Sequence, residues 1–575
     1  MCANELMMWG LTKLWDEGKE GGYAVKHGSK PVRDFPVRVP QEDQREVIEA
    51  DEIPNFFEKA YPCLFPWGRG GIEAPRPVHV DFREHVNWAL QHVDHRFRRH
   101  ETFSFHAFGI LQRRQALNSA RIQMRRSDFE KDVGLMKTLT LEKLQQAESE
   151  ETRKVPISDE AVRKLKRHLH GAAGRVLGSD ESRYRLRSQI WSTSVCLGPP
   201  SLWITINPSD IHDPVAQFMA GSDINLDNFA NTAGPNAKTR AQNIAEDPFA
   251  ASKFFHYIIK TILETLFQIK EANYRSNGCI GILGEVNAYF ATVECQGRGT
   301  LHLHLLGWLK HAPTPDEMTS LLHTEDFRQR LKIYIDRNIR AYVPGLESAE
   351  SVKEIPLEKE ISYNLPIDPD LPDYEVRLRD FELKLARAEQ VHVCKARRCL
   401  TYDDTGAARC KRRAPFPLSD ENFVSEGGEC GPKRLYGYMN GWNPGILVNA
   451  RCNNDCKFLT NGQDTKNISF YITAYSAKNQ KKTHNLSAIM AKSYAYHHAH
   501  PNKQYEKDLR ENQRLLLFRV MDGINREQEI AAPMVMSYLT GDGDVYRSHT
   551  YSMIHWSSFV RDLKLVHREL RRDQG

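Results

Sequence analysis

Two histidines separated by one leucine, His302 and His304, lie in the segment of this chain with the clearest chemical potential. The residues around them predict a strand, a Gly-rich turn and a returning strand. Because side chains alternate between the two faces of a strand, residues at i and i+2 project to the same side. If the turn folds back over residues 296–300, Glu294 comes to lie beside both imidazoles. The pattern predicts a metal site of two histidines and one carboxylate, and its alternative is an ordinary pair of histidines on a half-buried strand.

A second chemically capable pair, Tyr471 and Tyr475, follows far downstream. At a spacing of i, i+4 both hydroxyls emerge from one face of a helix, and Lys478 falls on the same side. Such tyrosines can act as paired nucleophiles. The alternative is a pair of core or interfacial aromatics, which is the commoner role of tyrosine at helical spacing.

Together, the metal platform, the tyrosine pair and the lysine are the groups that phosphodiester nicking and joining needs. A divalent cation polarises the scissile phosphate, and a tyrosine oxygen attacks phosphorus. The products are a 5′-phosphotyrosine link and a free 3′-hydroxyl, while Lys478 offsets charge that develops on the phosphate oxygens. The covalent link conserves the energy for rejoining, and the second tyrosine permits a second strand transfer.

Longer segments of the chain resemble the Helitron rolling-circle transposases, whose two-tyrosine nuclease domain is of the His-hydrophobe-His (HUH) class. Four segments are similar, in the expected order, to the N-terminal helicase-like region of that family: NFFEKAYPCLFPWGRGG (55–71), FGILQRRQALNSARIQMRR (108–126), LWITINPSDIHDP (202–214) and ECQGRGTLHLHLLGW (294–308). Two more are similar to the segment that leads into the nucleophile helix: NPGILVNARCNNDCKF (443–458) and FYITAYSAK (470–478). The resemblance extends over roughly residues 50–560.

The resemblance implies a Mg²⁺ or Mn²⁺ cofactor and roles for matching positions of this chain. The implied metal ligands are His302, His304 and Glu294, with Gln296 as a weaker candidate for the third ligand, and the implied nucleophiles are Tyr471 and Tyr475.

The nucleophile segment also departs from the family pattern. Many members carry lysines around the first tyrosine, whereas this chain has Phe470 and Ala474 at those positions. The helix therefore offers fewer phosphate contacts than in those relatives. Lys478 is retained, and Lys481 and Lys482 extend its basic end.

A complete autonomous Helitron protein also carries a helicase, whose nucleotide site needs a GxxxxGK[ST] loop. That loop does not occur in these 575 residues, where the only Gly-Lys pair, Gly18-Lys19, precedes Glu20. We therefore expect no ATP hydrolysis or strand unwinding by this chain, and a separate helicase as a partner. A fragment, a separate subunit and a decayed copy all fit this absence.

Two functional hypotheses follow. The first is an enzyme, a metal-dependent nuclease that nicks and transfers single-stranded DNA, held by aromatic and basic surfaces. The second is a transposase-derived protein that binds DNA without turnover. The intact site residues favour the first, and the altered nucleophile helix and missing helicase favour the second.

Cysteine spacing predicts a second metal site. The chain has eleven cysteines that do not form the pattern of a secreted disulfide framework. Six of them lie within residues 394–456, where thiolates and an imidazole can bind zinc. The candidate ligands are His392, Cys394, Cys399, Cys410, Cys430, Cys452 and Cys456. Because the spacings are irregular and no CxxC pair is present, reduced and unligated thiols are the alternative.

Arginines cluster on one predicted helix that also carries an apolar stripe. These arginines are Arg113, Arg114, Arg121, Arg125 and Arg126, and the stripe is formed by Leu117, Ala120 and Met124. Such a helix can follow a DNA backbone, and a solvated cationic face explains it equally well.

Composition is consistent with this function but does not require it. With 575 residues, of which 40% are hydrophobic, the chain can bury the cores of several domains, and its net charge of +5 is modest. No apolar run approaches the ~20 residues of a membrane helix, and the N-terminus lacks a signal-peptide pattern. We expect an intracellular protein, and the resemblance implies the nucleus.

The coarse pattern predicts an α+β fold. LWITIN reads as a buried strand, and residues 252–269 predict an amphipathic helix with Phe255, Ile258, Ile262 and Leu266 on one face. With the histidine hairpin, these elements form an antiparallel-sheet core similar to the replication-initiator (HUH endonuclease) fold, with helical N- and C-terminal regions and a Cys-rich insertion. The expected divisions are a poorly ordered segment (1–50), a helical basic region (51–175), the nuclease core (176–345), an exposed acidic Pro-rich linker (346–390), a Cys-rich module (391–460), and the nucleophile helix with a helical C-terminal region (461–575).

Overall fold

The computed structural model describes most of the chain between residues 56 and 567. The described ranges are 56–74, 76–229, 233–269, 280–296, 299–396, 399–402, 406–459, 485–502, 507–552 and 556–567, with the backbone of 26–27 and 30–31. The prediction for residues 1–50 therefore falls almost wholly outside the described residues.

Helices make up most of the described secondary structure. In chain order they are α1 (Phe56–Ala60), α2 (Phe82–Leu90), α3 (Arg96–Arg99), α4 (Phe103–Met124), α5 (Ser127–Met136), α6 (Leu141–Thr152), α7 (Glu160–Ala173), α8 (Asp180–Leu197), α9 (Pro214–Met219), α10 (Ala237–Glu246), α11 (Pro248–Thr261), α12 (Pro315–Leu322), α13 (Glu325–Asn338), α14 (Ala349–Glu354), α15 (Tyr374–Leu385), α16 (Pro444–Ala450), α17 (Leu486–Ala499), α18 (Leu509–Glu527), α19 (Ala532–Thr540) and α20 (Trp556–Val566). Short π-helical turns extend α11 over Ile262–Leu266 and α15 over Ala386–Gln390, and a 3₁₀ turn spans Ile361–Tyr363. Among the described helices, none combines the length and apolar character needed to cross a bilayer.

The strands form one larger sheet and three two-stranded ribbons. They are β1 (Lys26–His27), β2 (Lys30–Pro31), β3 (Leu202–Asn207), β4 (Val286–Cys295), β5 (Leu301–Leu309), β6 (Leu400–Tyr402), β7 (Ala408–Cys410), β8 (Phe423–Val424), β9 (Cys430–Gly431), β10 (Asn453–Phe458) and β11 (Val545–Arg547). The larger sheet has the order β10-β3-β5-β4-β11, and all its neighbours are antiparallel. The predicted α+β class is confirmed, as are the LWITIN strand and the histidine hairpin.

The sheet buries both of its faces. On β5, Leu301, Leu303 and Leu305 enter the large core, while Leu306 and Trp308 belong to a smaller apolar cluster on the opposite face. Because the period along a strand is two, His302 and His304 share the face of that smaller cluster.

Helix α8 covers the histidine face. Ser179 caps its N-terminus by accepting a hydrogen bond from the Ser182 amide, and the helix ends at Gly198, whose φ of +80° favours glycine. Leu186 and Ile190, one turn apart, pack in the smaller apolar cluster. The N-terminal turns of α8 thereby lie close to the histidine hairpin.

Helix α11 supports the other face, as the amphipathic pattern predicts. Phe255 and Ile262 are buried in the large core, and Ile258 and Leu266 pack against it. The predicted helical face is confirmed, although the last of these residues lie in the π-helical extension.

Helices from the two ends of the chain pack together. Helix α18 lies against α4 and α7, α17 lies against α6, and α19 lies against α11 and α4. The strand β11 also adds the outer edge of the larger sheet beside β4. The C-terminal region is therefore not purely helical, and it completes both the helical bundle and the sheet.

Much of the segment 346–390 is exposed, but part of it is packed. It contains α14 and α15, and several of its apolar side chains form a buried cluster with Trp442. Phe381 and Leu385 are spaced i, i+4, which places them on one face of α15 toward that cluster. The acidic and proline content of the segment concealed this short apolar stripe.

Candidate metal centre

Three candidate ligands meet on adjacent antiparallel strands. Glu294 on β4 pairs directly with His302 on β5, and His304 pairs with Thr292 on one side and Thr205 on the other. The turn closes as predicted, because the Gln296 amide donates to the Thr300 carbonyl over 2.9 Å. Local strand alternation and a short turn are thus sufficient to bring the three side chains to one face.

The distances fit a single cation. Nε2 of His302 and Nε2 of His304 each lie 3.7 Å from the same oxygen, Oε2 of Glu294. The three ligand atoms lie within 4.8 Å of one another, and a cation at about 2.0–2.2 Å from each donor needs separations of this size. Both histidines are buried, with side-chain exposures of 8% and 5%, so the cluster sits in the protein rather than on its surface.

The protonation states of the cluster favour metal binding. Burial lowers the pKa of His302 to about 4, and the neighbouring His304 adds to that effect. Burial alone raises the pKa of Glu294, but hydrogen bonding and charge from His304, together with Arg183 and His302, outweigh it and hold the pKa below its usual value. A neutral imidazole and an ionised carboxylate are the forms that ligate a metal.

Polar neighbours orient two of the hairpin side chains. Thr205 Oγ1 lies 3.0 Å from Nδ1 of His304, which leaves Nε2 directed at Glu294. A partner at the second imidazole nitrogen fixes the tautomer and the ring orientation of a metal ligand. Gln296 instead donates its amide to Asn207 Oδ1 over 3.0 Å, so this contact takes the weaker candidate third ligand away from the cluster.

Sequence reasoning missed a buried charged network behind Glu294. Arg183 on α8 places Nη2 3.8 Å from Glu294 Oε1 and Nη1 2.9 Å from Asp544 Oδ2. Nη1 also donates to the Val293 carbonyl, and the Tyr538 hydroxyl donates to Asp544. These residues come from segments that no local pattern links. The one available signal was the spacing of Arg183 with Leu186 and Ile190 on the apolar side of α8.

Tyr471, Tyr475, Lys478, Lys481 and Lys482 all lie outside the described residues. Their roles stay predictions from the sequence.

A second cluster forms at the Cys-rich segment. His392, Cys394, Cys399 and Cys410 each offer one ligand atom, and these atoms lie within 4.8 Å of one another. His392 Nε2 lies 3.2 Å from Cys410 Sγ and 3.4 Å from Cys394 Sγ. The β6–β7 ribbon pairs Leu400 with Cys410 and so brings the last two cysteines together.

The environment of this second cluster fits thiolate ligands. The Lys395 amide donates to Cys399 Sγ over 3.2 Å. Burial alone raises the pKa of the Cys410 thiol, but hydrogen bonds from the backbone amides of Ala414 and Arg412, and from Cys394 and Cys399, outweigh it and lower the pKa. Without a metal, burial and the two neighbouring thiols raise the pKa of Cys394 to about 11, so one thiol of the cluster ionises before another. Three sulfurs and one imidazole are a donor set typical of structural zinc.

The other three predicted zinc ligands are not part of this cluster. Cys452 and Cys456 are fully buried in the large core at β10, and burial raises the pKa of both thiols. Cys430 packs against the same core, and burial raises the pKa of its thiol to about 12. In these positions their side chains pack as small apolar groups in the core.

The predicted DNA-binding arginines divide into two groups. Arg113 is buried, with Nη1 3.5 Å from Asp522, and Arg114 reaches Glu73 Oε2 over 2.5 Å. Both lie where α4 packs against other parts of the protein, and each forms an ion pair there with an acidic residue. Arg121, Arg125 and Arg126, near the C-terminus of α4, reach the surface.

Comparison with known proteins finds one related domain. Residues 85–307 match the family model described as the Helitron helicase-like domain at the N-terminus. The matched region contains Glu294, His302 and His304 and ends before the tyrosine segment. No curated protein matches the chain.

Proposed function

For a chain related to Helitron transposon proteins over residues 85–307, we propose metal-dependent nicking and transfer of single-stranded DNA in rolling-circle transposition. The observation that carries the proposal is the placement of Glu294, His302 and His304 on one face of a hairpin, with both imidazoles equally close to one carboxylate oxygen. The larger antiparallel sheet serves as the HUH nuclease core in this proposal.

The two histidines and Glu294 would hold one divalent cation, which would polarise the scissile phosphate. Because Mg²⁺ prefers oxygen ligands, two imidazole nitrogens favour Mn²⁺ over Mg²⁺ at this site. The chain's own contribution is to keep His302 neutral, Glu294 ionised and His304 oriented by Thr205.

The proposed nucleophiles are Tyr471 and Tyr475. A tyrosine Oη–P bond forms while the P–O3′ bond breaks, the tyrosine proton leaves to solvent, and the departing 3′ oxygen takes up a proton. Lys478 offsets charge on the phosphate oxygens. The reverse attack by a 3′-hydroxyl rejoins the strand, and no oxidant or nucleotide is needed. Unwinding is supplied by a separate helicase in this proposal.

A covalent adduct is the decisive test. A pool of random single-stranded oligonucleotides labelled at the 3′ end is incubated with the protein and Mn²⁺, and the product is separated under denaturing conditions. We expect a labelled protein band that disappears in Glu294→Gln and His302→Ala and in one or both of Tyr471→Phe and Tyr475→Phe. Tyr402→Phe, which removes an exposed hydroxyl elsewhere, retains the band.

A transposase-derived protein that binds DNA without turnover is the second candidate. The replacement of family lysines by Phe470 and Ala474 favours it. Oligonucleotide binding without any adduct, across the random pool and with either Mg²⁺ or Mn²⁺, would establish this candidate and exclude the nuclease.

We also propose that His392, Cys394, Cys399 and Cys410 hold a structural Zn²⁺. Four protein donors leave no open position for substrate, which is typical of structural rather than catalytic zinc. The backbone around the cluster is tied to the rest of the protein, since the His392 amide donates to the Tyr438 carbonyl over 2.8 Å. The metal would therefore stabilise the Cys-rich segment against the adjoining strands.

A further inference from the structure

Three arginines converge where α4, α7 and α8 meet. Arg126 follows the end of α4, Arg175 follows the end of α7, and Arg185 lies in the second turn of α8. The elements are joined here by short polar contacts. Ser119 Oγ donates to the Ala172 carbonyl over 2.6 Å, and Arg175 Nη1 lies 3.4 Å from the same hydroxyl.

Close backbone packing brings Arg185 into this group. Its Nη2 donates to the Gly171 carbonyl over 2.9 Å, near the C-terminus of α7. A Cβ at Gly174 would lie 2.4 Å from Arg185 Nε, so a residue with a side chain at that position would displace the guanidinium. Glycine therefore permits Arg185 to lie across the end of α7, beside Arg175.

The three positive charges act on one another. Burial lowers the pKa of Arg175, and the charges of Arg126 and Arg185 lower it further. Burial and the charge of Arg126 likewise lower the pKa of Arg185. Like charges held together in a partly buried place raise the free energy of the folded protein unless an anion offsets them.

Nothing in the described part of the protein supplies that anion. None of the three arginines has a carboxylate oxygen within the 4.0 Å of an ion pair, counted over the described residues. Glu130, four residues after Arg126, lies 3.7 Å from Arg510 Nη1 instead. The Gly171 carbonyl accepts from Arg185 and the Ser119 hydroxyl lies beside Arg175, but neither of these groups carries a charge.

We propose that Arg126, Arg175 and Arg185 bind a backbone phosphate of the DNA strand. Guanidinium groups match phosphate oxygens in charge and in planar hydrogen-bond geometry. The choice of DNA as occupant rests on the proposed function. Arg183 and Arg185 are two positions apart on α8, so they lie on different sides of the helix. The strand would cross this helix, of diameter about 10 Å, between the phosphate site and the metal centre.

Binding of a labelled single-stranded oligonucleotide, measured by fluorescence anisotropy over a range of salt concentrations, tests the site. Arg126→Gln and Arg175→Gln are compared with the wild type and with Arg330→Gln. Arg330 is an exposed arginine of α13 that pairs with Asp326 over 3.1 Å. We expect each cluster variant to lose about three- to tenfold in affinity, and the dependence of log K on log salt to become shallower by about 0.7. Arg330→Gln should retain both quantities.

Thermal unfolding separates a binding role from a structural one. Because the cluster repels itself, Arg175→Gln should keep or raise the unfolding midpoint while it loses DNA affinity. Inorganic phosphate should raise the midpoint of the wild type more than that of Arg175→Gln. Unchanged affinity and salt dependence in both cluster variants overturn the phosphate site. So does a loss of affinity that only accompanies a lower unfolding midpoint.

The result is distinguishable from failure of the nuclease proposal. If no covalent adduct forms but the cluster variants weaken binding as described, the nuclease proposal fails and the phosphate site stands. If an adduct forms and the variants bind normally, the nuclease proposal stands and the phosphate site fails.

Discussion

Arg183 Nη2 lies 3.8 Å from Glu294 Oε1, while the opposite oxygen of the same carboxylate faces both histidines at 3.7 Å. The two oxygens of Glu294 are therefore divided between a buried guanidinium and the candidate metal centre. Arg183 is held in place by Asp544 and the Val293 carbonyl. Its position leaves one carboxylate oxygen free for a cation and identifies Arg183 as a positioning residue.

Arg183→Lys tests whether the contact of Arg183 with one oxygen of Glu294 orients the other oxygen toward the metal centre. An ammonium keeps the positive charge but lacks the planar fork that reaches Glu294, Asp544 and the Val293 carbonyl together. We expect the Kd for Mn²⁺ to rise about tenfold, equivalent to about 1.4 kcal/mol, as measured by isothermal titration calorimetry.

A matched control distinguishes positioning from general stability. Arg98 is also buried and lies 2.8 Å from Asp247, in a helix that precedes the sheet. Arg98→Lys should lower the unfolding midpoint to a similar extent without changing Mn²⁺ affinity. If Arg183→Lys and Arg98→Lys have the same Mn²⁺ affinity as the wild type, Arg183 has no positioning role.

The two threonines that flank His304 provide a second test. Thr205 Oγ1 hydrogen-bonds His304 Nδ1 at 3.0 Å, whereas Thr292 Oγ1 is buried without a hydrogen-bond partner among the described residues. Thr205→Val should weaken Mn²⁺ binding by about ten- to a hundredfold, because the imidazole loses the partner that orients it.

Thr292→Val makes the same chemical change on the other side of His304. It removes a buried hydroxyl that has nothing to bond, so it should leave Mn²⁺ affinity unchanged and keep or raise the free energy of unfolding. Equal metal affinities in the two valine variants would show that the Thr205 contact does not orient the ligand.

The sequence predicted the part of this centre that local rules determine. His302 and His304 share a face because of strand alternation, and Glu294 joins them because a short turn closes the hairpin. Thr205, Arg183 and Asp544 reach the centre through the sheet order and through α8. A single sequence contains no local signal for such long-range pairings, so these three residues were not predicted.

Composition gave incomplete information in two other places. Much of the acidic and proline-rich segment 346–390 is exposed, but its composition did not predict the short apolar stripe of Phe381 and Leu385, which packs in the cluster with Trp442. For the cysteines, spacing alone did not separate the four residues of the cluster from the buried Cys452 and Cys456. Which cysteines lie in the cluster and which lie in the core depends on the tertiary fold, and the spacing of cysteines along the chain does not contain that information.

Zinc content tests the Cys/His cluster. The wild type, purified without chelator, should contain about one equivalent of Zn²⁺ by elemental analysis, and Cys399→Ser should lose it because one of the four donors is removed. Cys430→Ser changes a cysteine of the same region that lies outside the cluster, so it should retain the metal. A wild type without zinc, or equal zinc content in Cys399→Ser and Cys430→Ser, would refute the site.

Acid stability offers a test that is independent of any ligand. Burial lowers the pKa of His106 to about 4, and its Nδ1 lies 3.1 Å from the Tyr61 hydroxyl. The unfolded histidine binds a proton below about pH 6.5, whereas the folded one does so only near pH 4. Between these values the unfolded state holds more protons, so the free energy of unfolding falls as the pH falls, by up to about 3 kcal/mol for this residue.

His106→Asn removes this titration while keeping a polar partner for Tyr61. The decrease in the free energy of unfolding between pH 7 and pH 4.5, measured by urea denaturation, should be smaller in the variant than in the wild type. His323→Asn is the control, because His323 has a side chain that is 64% exposed and should leave the decrease unchanged. The remaining decrease in His106→Asn is expected from other histidines whose pKa values burial also lowers to about 4, namely His85, His256, His302 and His497. An identical pH dependence in His106→Asn and the wild type would mean that His106 is protonated as readily in the folded state as in the unfolded chain.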